Sequence, residues 1–216
     1  MSGAFTSERE LAAAVVAWLR DLRWEVYQEV PVGCGVADIV AKQRAVTWLI
    51  ETKLSMSIQL LKQLDDRVGH AHMTSAAVPV GARRAVPYKV FKALGAGLIT
   101  VWPGGIVNER LRPQFFRRVA GVELHEEQKT FCNAGSSSGG HWTPFRQTAR
   151  NVQAYVSHNP GCSMSQLLAG IKHHYRKESV ANSSIVAWIE DGVIKGVRVD
   201  RSQRPMKLYP VEEVRA

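Results

Sequence analysis

Two acidic residues and a lysine interrupt apolar runs of the 216-residue chain: Asp38 in "GVADIVA", and Glu51 and Lys53 in "VTWLIETKL". An unpaired charge costs several kcal/mol to bury, so charges in such runs call for a use. The two runs flank "KQR" and read as the strands of a hairpin. With a turn centred near Arg44 and Ala45, Asp38 lies opposite Glu51 or one position off. Directly opposed residues on one face sit about 4.5–5.5 Å apart at Cβ. Side chains alternate along a strand, so Glu51 and Lys53 share a face and Thr52 points to the other. Carboxylates this close repel unless one is protonated or a cation lies between them. A hard divalent ion with oxygen ligands fits, and Mg²⁺ is the usual choice where phosphates supply the other ligands. The lysine adds positive charge where a pentavalent phosphate gathers negative charge, and is placed to orient or deprotonate an attacking water. A solvated strand face with a cross-strand ion pair is the plainer alternative. The apolar flanks on both sides weigh against it.

These side chains need a helix and a sheet to hold them. Residues 7–23 predict an amphipathic helix, with Ser7 as N-cap and Glu10 three residues on in a capping-box pattern. Leu11, Val15, Trp18, Leu19 and Leu22 form its apolar stripe. On a helical wheel Glu8 falls within that stripe and Glu10 about 200° round from Glu8. The stripe must face the sheet, so Glu8 is assigned to the site and Glu10 to the cap. "WEVYQEVPV" reads as a strand before the hairpin, residues 57–69 as a helix after it, "SAAVPV" and "GLITVW" as strands, and "VPYKVFKAL" as the helix between them. The predicted order is αβββαβαβ, an α/β layered domain. "LRPQFFRRVAGVEL" reads as an extension packing on that core, so the domain is set at residues 1–124. The Gly/Ser-rich residues 125–144 read as a linker or mobile loop. Residues 145–216 predict three short helices, with Phe145, Ala149, Val152 and Val156 on the first. Two short strands around a basic loop follow, which is the winged-helix pattern.

Here the sequence resembles a known superfamily. "ADIV" followed by "IETK" resembles the PD-(D/E)XK nucleases. Within them "SERELAAAVVAWLRDLRWEVYQEV", "ADIVA" and "WLIETK" are similar to the archaeal Holliday junction resolvases and related small nucleases. The resemblance covers roughly residues 5–103 and departs at Ala37, where the motif's name expects proline. It implies a restriction endonuclease-like mixed sheet with flanking helices. It also implies hydrolysis of a phosphodiester by an in-line water, leaving a 5′-phosphate and a 3′-hydroxyl. Asp38 and Glu51 would hold Mg²⁺, for which Mn²⁺ substitutes, with the Thr52 carbonyl as a further ligand. Lys53 would polarise the water, and Glu8 would help hold the metal or a second water. Some members place a glutamine on the helix after the lysine, a role for Gln63 or Gln59 against the scissile phosphate. Structure-specific cleavage of junctions, branches or flaps, site-specific restriction-like cleavage, and a non-catalytic DNA-binding adaptor on a nuclease scaffold all stay open. RNA as the substrate is open as well.

The charge balance fits a polyanionic partner: the net charge is +9, of which +5 lies in residues 145–216. Arg176, Lys177, Asn182 and Ser183, with Val186, are assigned to the outer side and approach of the third helix. Arg198, Arg201, Arg204 and Lys207 are assigned to the wing, giving a DNA-binding surface, with dimerisation as the alternative use of this module. A homodimer is expected because two strands must be cut. Three well-separated cysteines, Cys34, Cys132 and Cys162, give no disulfide framework. The polar start "MSGAFTSERE" and the lack of a long apolar run predict a cytoplasmic protein without a membrane span. "HAH" at 70–72 lacks the partners of a zinc site, and His173 and His174 are placed at an exposed helix end. Trp102, Trp142 and Trp188 read as core or linker anchors, with base stacking open to Trp142 alone.

Overall fold

Ser7 starts the first helix, α1 (Glu8–Asp21), by accepting the Glu10 N–H on its Oγ at 3.2 Å. Glu10 does not close a capping box on Ser7. Its carboxylate accepts from the Thr6 N–H and hydroxyl, at 3.0 and 3.1 Å. The computed structural model describes residues 5–33, 35–82, 86–135 and 141–211, in two units divided between Trp142 and Thr143.

In the first unit, strands β1 (Glu25–Val32), β2 (Gly35–Gln43), β3 (Val46–Thr52), β4 (Met73–Pro79), β5 (Gly97–Val101) and β6 (Val107–Leu111) form one sheet in sequence order. β1, β2 and β3 pair antiparallel, β3, β4 and β5 parallel, and β6 returns antiparallel. Helix α2 (Ile58–Arg67) links β3 to β4, and α3 (Tyr88–Ala93) links β4 to β5, as parallel neighbours require. Leu11, Val15 and Leu19 of α1 pack on Ile39, Ile50 and Ile99 of the sheet, and Trp48 receives Trp18 and Trp24 edge-on at 5.8 Å. Leu60, Leu64 and Phe91 bury with Ala76, Val78 and Leu98 in a second core. The α/β class and the order αβββαβαβ match the sequence reading, and β6 is additional. Its "VNERL" is largely exposed at the sheet edge, so it carries no apolar alternation from which a strand is read. Beyond it the chain crosses the unit as an extension. The Gln114, Phe116 and Ala120 N–H groups donate to the Gly95, His72 and Gly69 carbonyls, each at 2.9 Å.

The segment expected as a linker is structured through residue 135. A single 3-10 turn, Glu126–Lys129, places Lys129 Nζ 2.6 Å from Glu25 and 2.8 Å from Glu126. The Ala134 N–H donates to Gln28 Oε1 at 3.0 Å, and the Gly135 N–H to Glu29 Oε1 at 2.8 Å. Phe131, Cys132 and Trp142 form a small buried cluster with the His125 ring 4.4 Å from Trp142. This removes Trp142 as a base-stacking platform. Composition misleads here because much of the anchoring is through backbone N–H groups, which any residue type supplies. The serine–glycine run 136–140 lies outside the described residues.

The second unit holds α4 (Pro144–His158), β7 (Cys162–Ser163), α5 (Met164–Gly170), α6 (Glu178–Glu190), β8 (Val197–Asp200) and β9 (Lys207–Pro210), with sheet order β7-β9-β8. Val152, Val156, Leu167, Ile185, Ile189 and Leu208 are central to its core. The three helices and the final hairpin stand where their periodicity places them, and β7 is an addition too short to show a period. Among the described residues no helix is long and apolar enough to cross a membrane.

Gly135 gives a direct test of the packed segment. Its φ is +72°, and a Cβ there would sit 2.7 Å from the Glu8 backbone carbonyl carbon. Gly135→Ala is expected to cost about 1–3 kcal/mol, read as a lower urea midpoint at unchanged slope. An unchanged midpoint would contradict the packing of this segment on α1.

Candidate active site

The β2–β3 ladder runs from Gln43 opposite Val46 to Ile39 opposite Ile50, with Arg44 at φ +55° in the turn. One more step of that register sets Asp38 opposite Glu51. Asp38 is half-buried and Glu51 fully buried. Asp38 Oδ2 accepts from the Thr52 N–H at 2.7 Å and the Thr52 hydroxyl at 2.8 Å. Burial nevertheless pushes the Asp38 carboxyl above its ordinary range, against those two hydrogen bonds. Burial, and then repulsion from Asp38, push Glu51 up to about 7 against the opposing pull of Arg67. One Glu51 oxygen, Oε1, accepts from Arg67 Nε at 3.0 Å. The other, Oε2, is buried with no partner. A buried carboxylate oxygen without a donor is costly, and a cation between the two strands answers both it and the repulsion.

Lys53 follows directly after β3, with its N–H donating to the Ala77 carbonyl at 3.0 Å. Its ammonium donates to Glu8 Oε2 at 2.7 Å, so α1 delivers Glu8 to the site and leaves Glu10 exposed at the cap. Burial alone would lower the Lys53 pKa. The hydrogen bond and charge of Glu8, with the charges of Asp38 and Glu51, outweigh burial and hold it above the ordinary value. In the metal-free protein Lys53 is therefore an ammonium at neutral pH, which suits charge stabilisation. Glu8 is engaged by Lys53, and no group of three or more His, Cys, Asp or Glu placed to hold a metal occurs among the described residues. Asp38 and Glu51 are the acidic pair that remains. One or two carboxylates are enough for Mg²⁺ when water and phosphate complete its shell.

Of the two glutamines on α2, Gln59 is exposed, whereas Gln63 is half-buried with a buried Oε1 that has no hydrogen-bond partner. Two residues went unnoticed in the sequence. Arg67 ends α2 one turn beyond Gln63, and was hidden by its place in the polar "QLDDR" run. Glu29 is the β1 position across from Asp38, between the pairs Gln28–Ile39 and Val30–Ala37, and its φ is +52°. A left-handed non-glycine residue costs on the order of 1–3 kcal/mol and marks a constrained site, a signal absent from residue type.

In the second unit, Arg176, Lys177, Arg198 and Arg204 are exposed, and Lys207 is half-buried. Arg198 lies 4.8 Å over the Tyr209 ring. Arg201 is bidentate on Glu190, at 2.8 and 3.1 Å, so the wing assignment overstates its charge. Asn182 is half-buried, and the Ser183 hydroxyl donates back to the Ser179 and Val180 carbonyls at 3.2 Å. Val186, expected on the outer side, is in the core. His174 is not an idle surface residue: its Nδ1 lies 2.8 Å from Thr148 Oγ1. His72 Nδ1 accepts the Thr47 N–H at 3.1 Å, a structural role.

No family model matches the chain. No curated protein matches it. Among solved structures it is similar to a protein of unknown function from Silicibacter pomeroyi at 18% identity and TM-score 0.43, covering 53% of this chain and 77% of that one. The EndoMS–double-stranded DNA complex is similar at 12% and 0.34, covering 47% of each chain. Pyrococcus furiosus SfsA in complex with Ca²⁺ follows at 15% and 0.29, covering 47% of this chain and 59% of that one. With TM-scores at this level, the chemistry rests on the chain's own side chains.

The raised Glu51 pKa has a definite sign. The folded state holds a proton that the unfolded chain releases between about 4.5 and about 7. Its stabilisation is complete below the lower value and is lost as pH rises through the upper one. Metal-free protein should therefore gain stability from pH 8 to pH 5.5, by at most about 1.4 kcal/mol per unit from this group. Glu51→Gln, which keeps an acceptor for Arg67, should flatten that dependence in denaturant titrations. Equal pH dependence in both proteins would contradict the assignment.

Proposed function

We propose that the first unit is a Mg²⁺-dependent DNA endonuclease of the PD-(D/E)XK type and that the second is a winged-helix module that docks it on DNA. The observation carrying this reading is the opposed pair Asp38 and Glu51, with Glu51 Oε2 buried and unpartnered and the Lys53 ammonium just past the end of β3. A divalent cation held by these two carboxylates would supply positive charge to the scissile phosphate. The chain's own groups do the rest. Lys53, kept protonated by Glu8, donates to a phosphate oxygen as charge develops there. Glu8 sets the direction of that ammonium, acting through Lys53. Thr52 fixes the rotamer of Asp38 with two hydrogen bonds. Gln63, whose buried Oε1 has no hydrogen-bond partner, would accept from a water at the scissile phosphate. The water oxygen bonds phosphorus as the P–O3′ bond breaks; the proton the water sheds passes to solvent and O3′ is protonated from solvent, leaving a 5′-phosphate and a 3′-hydroxyl.

The winged-helix part of the reading is supported by the order helix–strand–helix–helix–strand–strand and by the sheet order β7-β9-β8. Exposed Arg176 and Lys177 lead into α6, and exposed Arg204 lies between β8 and β9. This suits a helix in a groove with the wing on the phosphates. A homodimer would let two strands be cut, and branched DNA is the favoured substrate over a fixed recognition sequence.

The test is incubation with plasmid and branched DNA in Mg²⁺ or EDTA. Cleavage is expected in Mg²⁺ alone, with Asp38→Ala and Lys53→Ala reduced by about 10²–10³-fold or more. Variants that cut like wild type would overturn the site. DNA bound but never cut would favour the adaptor reading. Docking has its own test in the salt dependence of DNA affinity. Lys177→Ala should lower the slope of log K against log salt by about 1. Arg201→Ala should lower it less, because Glu190 already pairs that charge. Equal effects would contradict the docking surface.

A further inference from the structure

Arg67 makes three hydrogen bonds with its guanidinium, and the chemistry proposed above does not use it. It is 4% exposed. Its Nε donates to Glu51 Oε1 at 3.0 Å, its Nη1 to the Val32 carbonyl at 2.8 Å, and its Nη2 to the Val36 carbonyl at 3.0 Å. One guanidinium thus joins the end of β1, the start of β2 and the acidic residue of β3. Val36 stands two residues before Asp38, so the group ties down both strands that carry the carboxylates. The chain makes room for it. A Cβ on Gly35 would lie 2.6 Å from Nη2, the nitrogen that donates to Val36.

Resting on the nuclease reading, we propose that Arg67 is the positioning residue of the metal site. It clamps Glu51 by Oε1 and fixes the β2 strand, so that Oε2 alone faces the cation beside Asp38. The planar fork is what makes this possible, since it reaches three acceptors in fixed directions where a lysine ammonium on a flexible stem would not. Groups that orient metal ligands are commonly worth 10–100-fold in metal affinity. The guanidinium also brings a positive charge near a cation site, and that repulsion opposes the orienting effect. Two substitutions separate them, because Arg67→Lys keeps the charge without the fork and Arg67→Met removes both.

The experiment is calorimetric titration of the full chain with Mn²⁺ at fixed pH, with thermal unfolding of each variant followed in EDTA. Both substitutions are expected to weaken Mn²⁺ binding by about 10–100-fold. In a Glu51→Gln background Arg67→Lys should add little, because the carboxylate it orients is gone; a purely structural role would act equally in both backgrounds. Arg67→Met binding as well as or more tightly than wild type, or an undiminished Arg67→Lys effect in Glu51→Gln, overturns the proposal. If neither Arg67 variant folds, Gly35→Ala decides, with weaker binding expected and unchanged binding contradicting it. A wild type that binds no Mn²⁺ overturns the nuclease reading and this inference together. A wild type that binds Mn²⁺ without cutting DNA overturns the nuclease reading and leaves Arg67 its place in the metal site.

Discussion

Two carboxylates face each other across β2 and β3, and much of the first unit follows from having to keep them there. Like charges about 5 Å apart repel by about 3 kcal/mol at an effective dielectric of 20. Taking each from water adds several kcal/mol more. The chain meets this in parts. Thr52 gives Asp38 two donors, Arg67 gives one Glu51 oxygen a charged donor, and Lys53 adds a cation that Glu8 holds in place. The compensation stops short of the last buried oxygen, Glu51 Oε2. A scaffold with no further use for the pair would do better with apolar residues of similar volume, which often replace buried ions without loss of stability. That incomplete compensation is the physical case for a cation there.

The same constraint accounts for parts of the fold remote in sequence. Glu8 reaches Lys53 only if the first turn of α1 is held over the end of β3. The segment around Gly135 meets that turn and takes the Glu29 carboxylate on its N–H. Glu29 in turn adopts a left-handed backbone where β1 passes Asp38. A stretch with the composition of a linker thus packs on the turn that carries Glu8. Arg67 plays the corresponding part on the other side, from the last turn of α2.

Much of this was legible in the sequence because it rests on period. A turn centred near Arg44 and Ala45 put Asp38 opposite Glu51 or one position off, and the pairing of Ile39 with Ile50 selects the first. The stripe of α1 chose Glu8 over Glu10, and the helices of the second unit follow their apolar spacing. Interactions that depend on tertiary approach were not legible. Arg67 reads as one more charge on a polar helix, and only the approach of Glu51 and of the Val32 and Val36 carbonyls gives it a role. The left-handed turn at Glu29 has no counterpart in residue type. The edge strand β6 is polar, and the chain through 125–135 is anchored largely by backbone groups. Arg201 reads as a phosphate contact until Glu190 is seen beside it.

The central claim is that Asp38 and Glu51 form a divalent-cation site. Anomalous diffraction from crystals soaked in Mn²⁺ tests it most directly. The expected result is one strong peak between the Asp38 and Glu51 carboxylates, within coordination distance of Glu51 Oε2, and lost in Asp38→Asn. A map with no peak there, or with Mn²⁺ bound only elsewhere, would contradict the account.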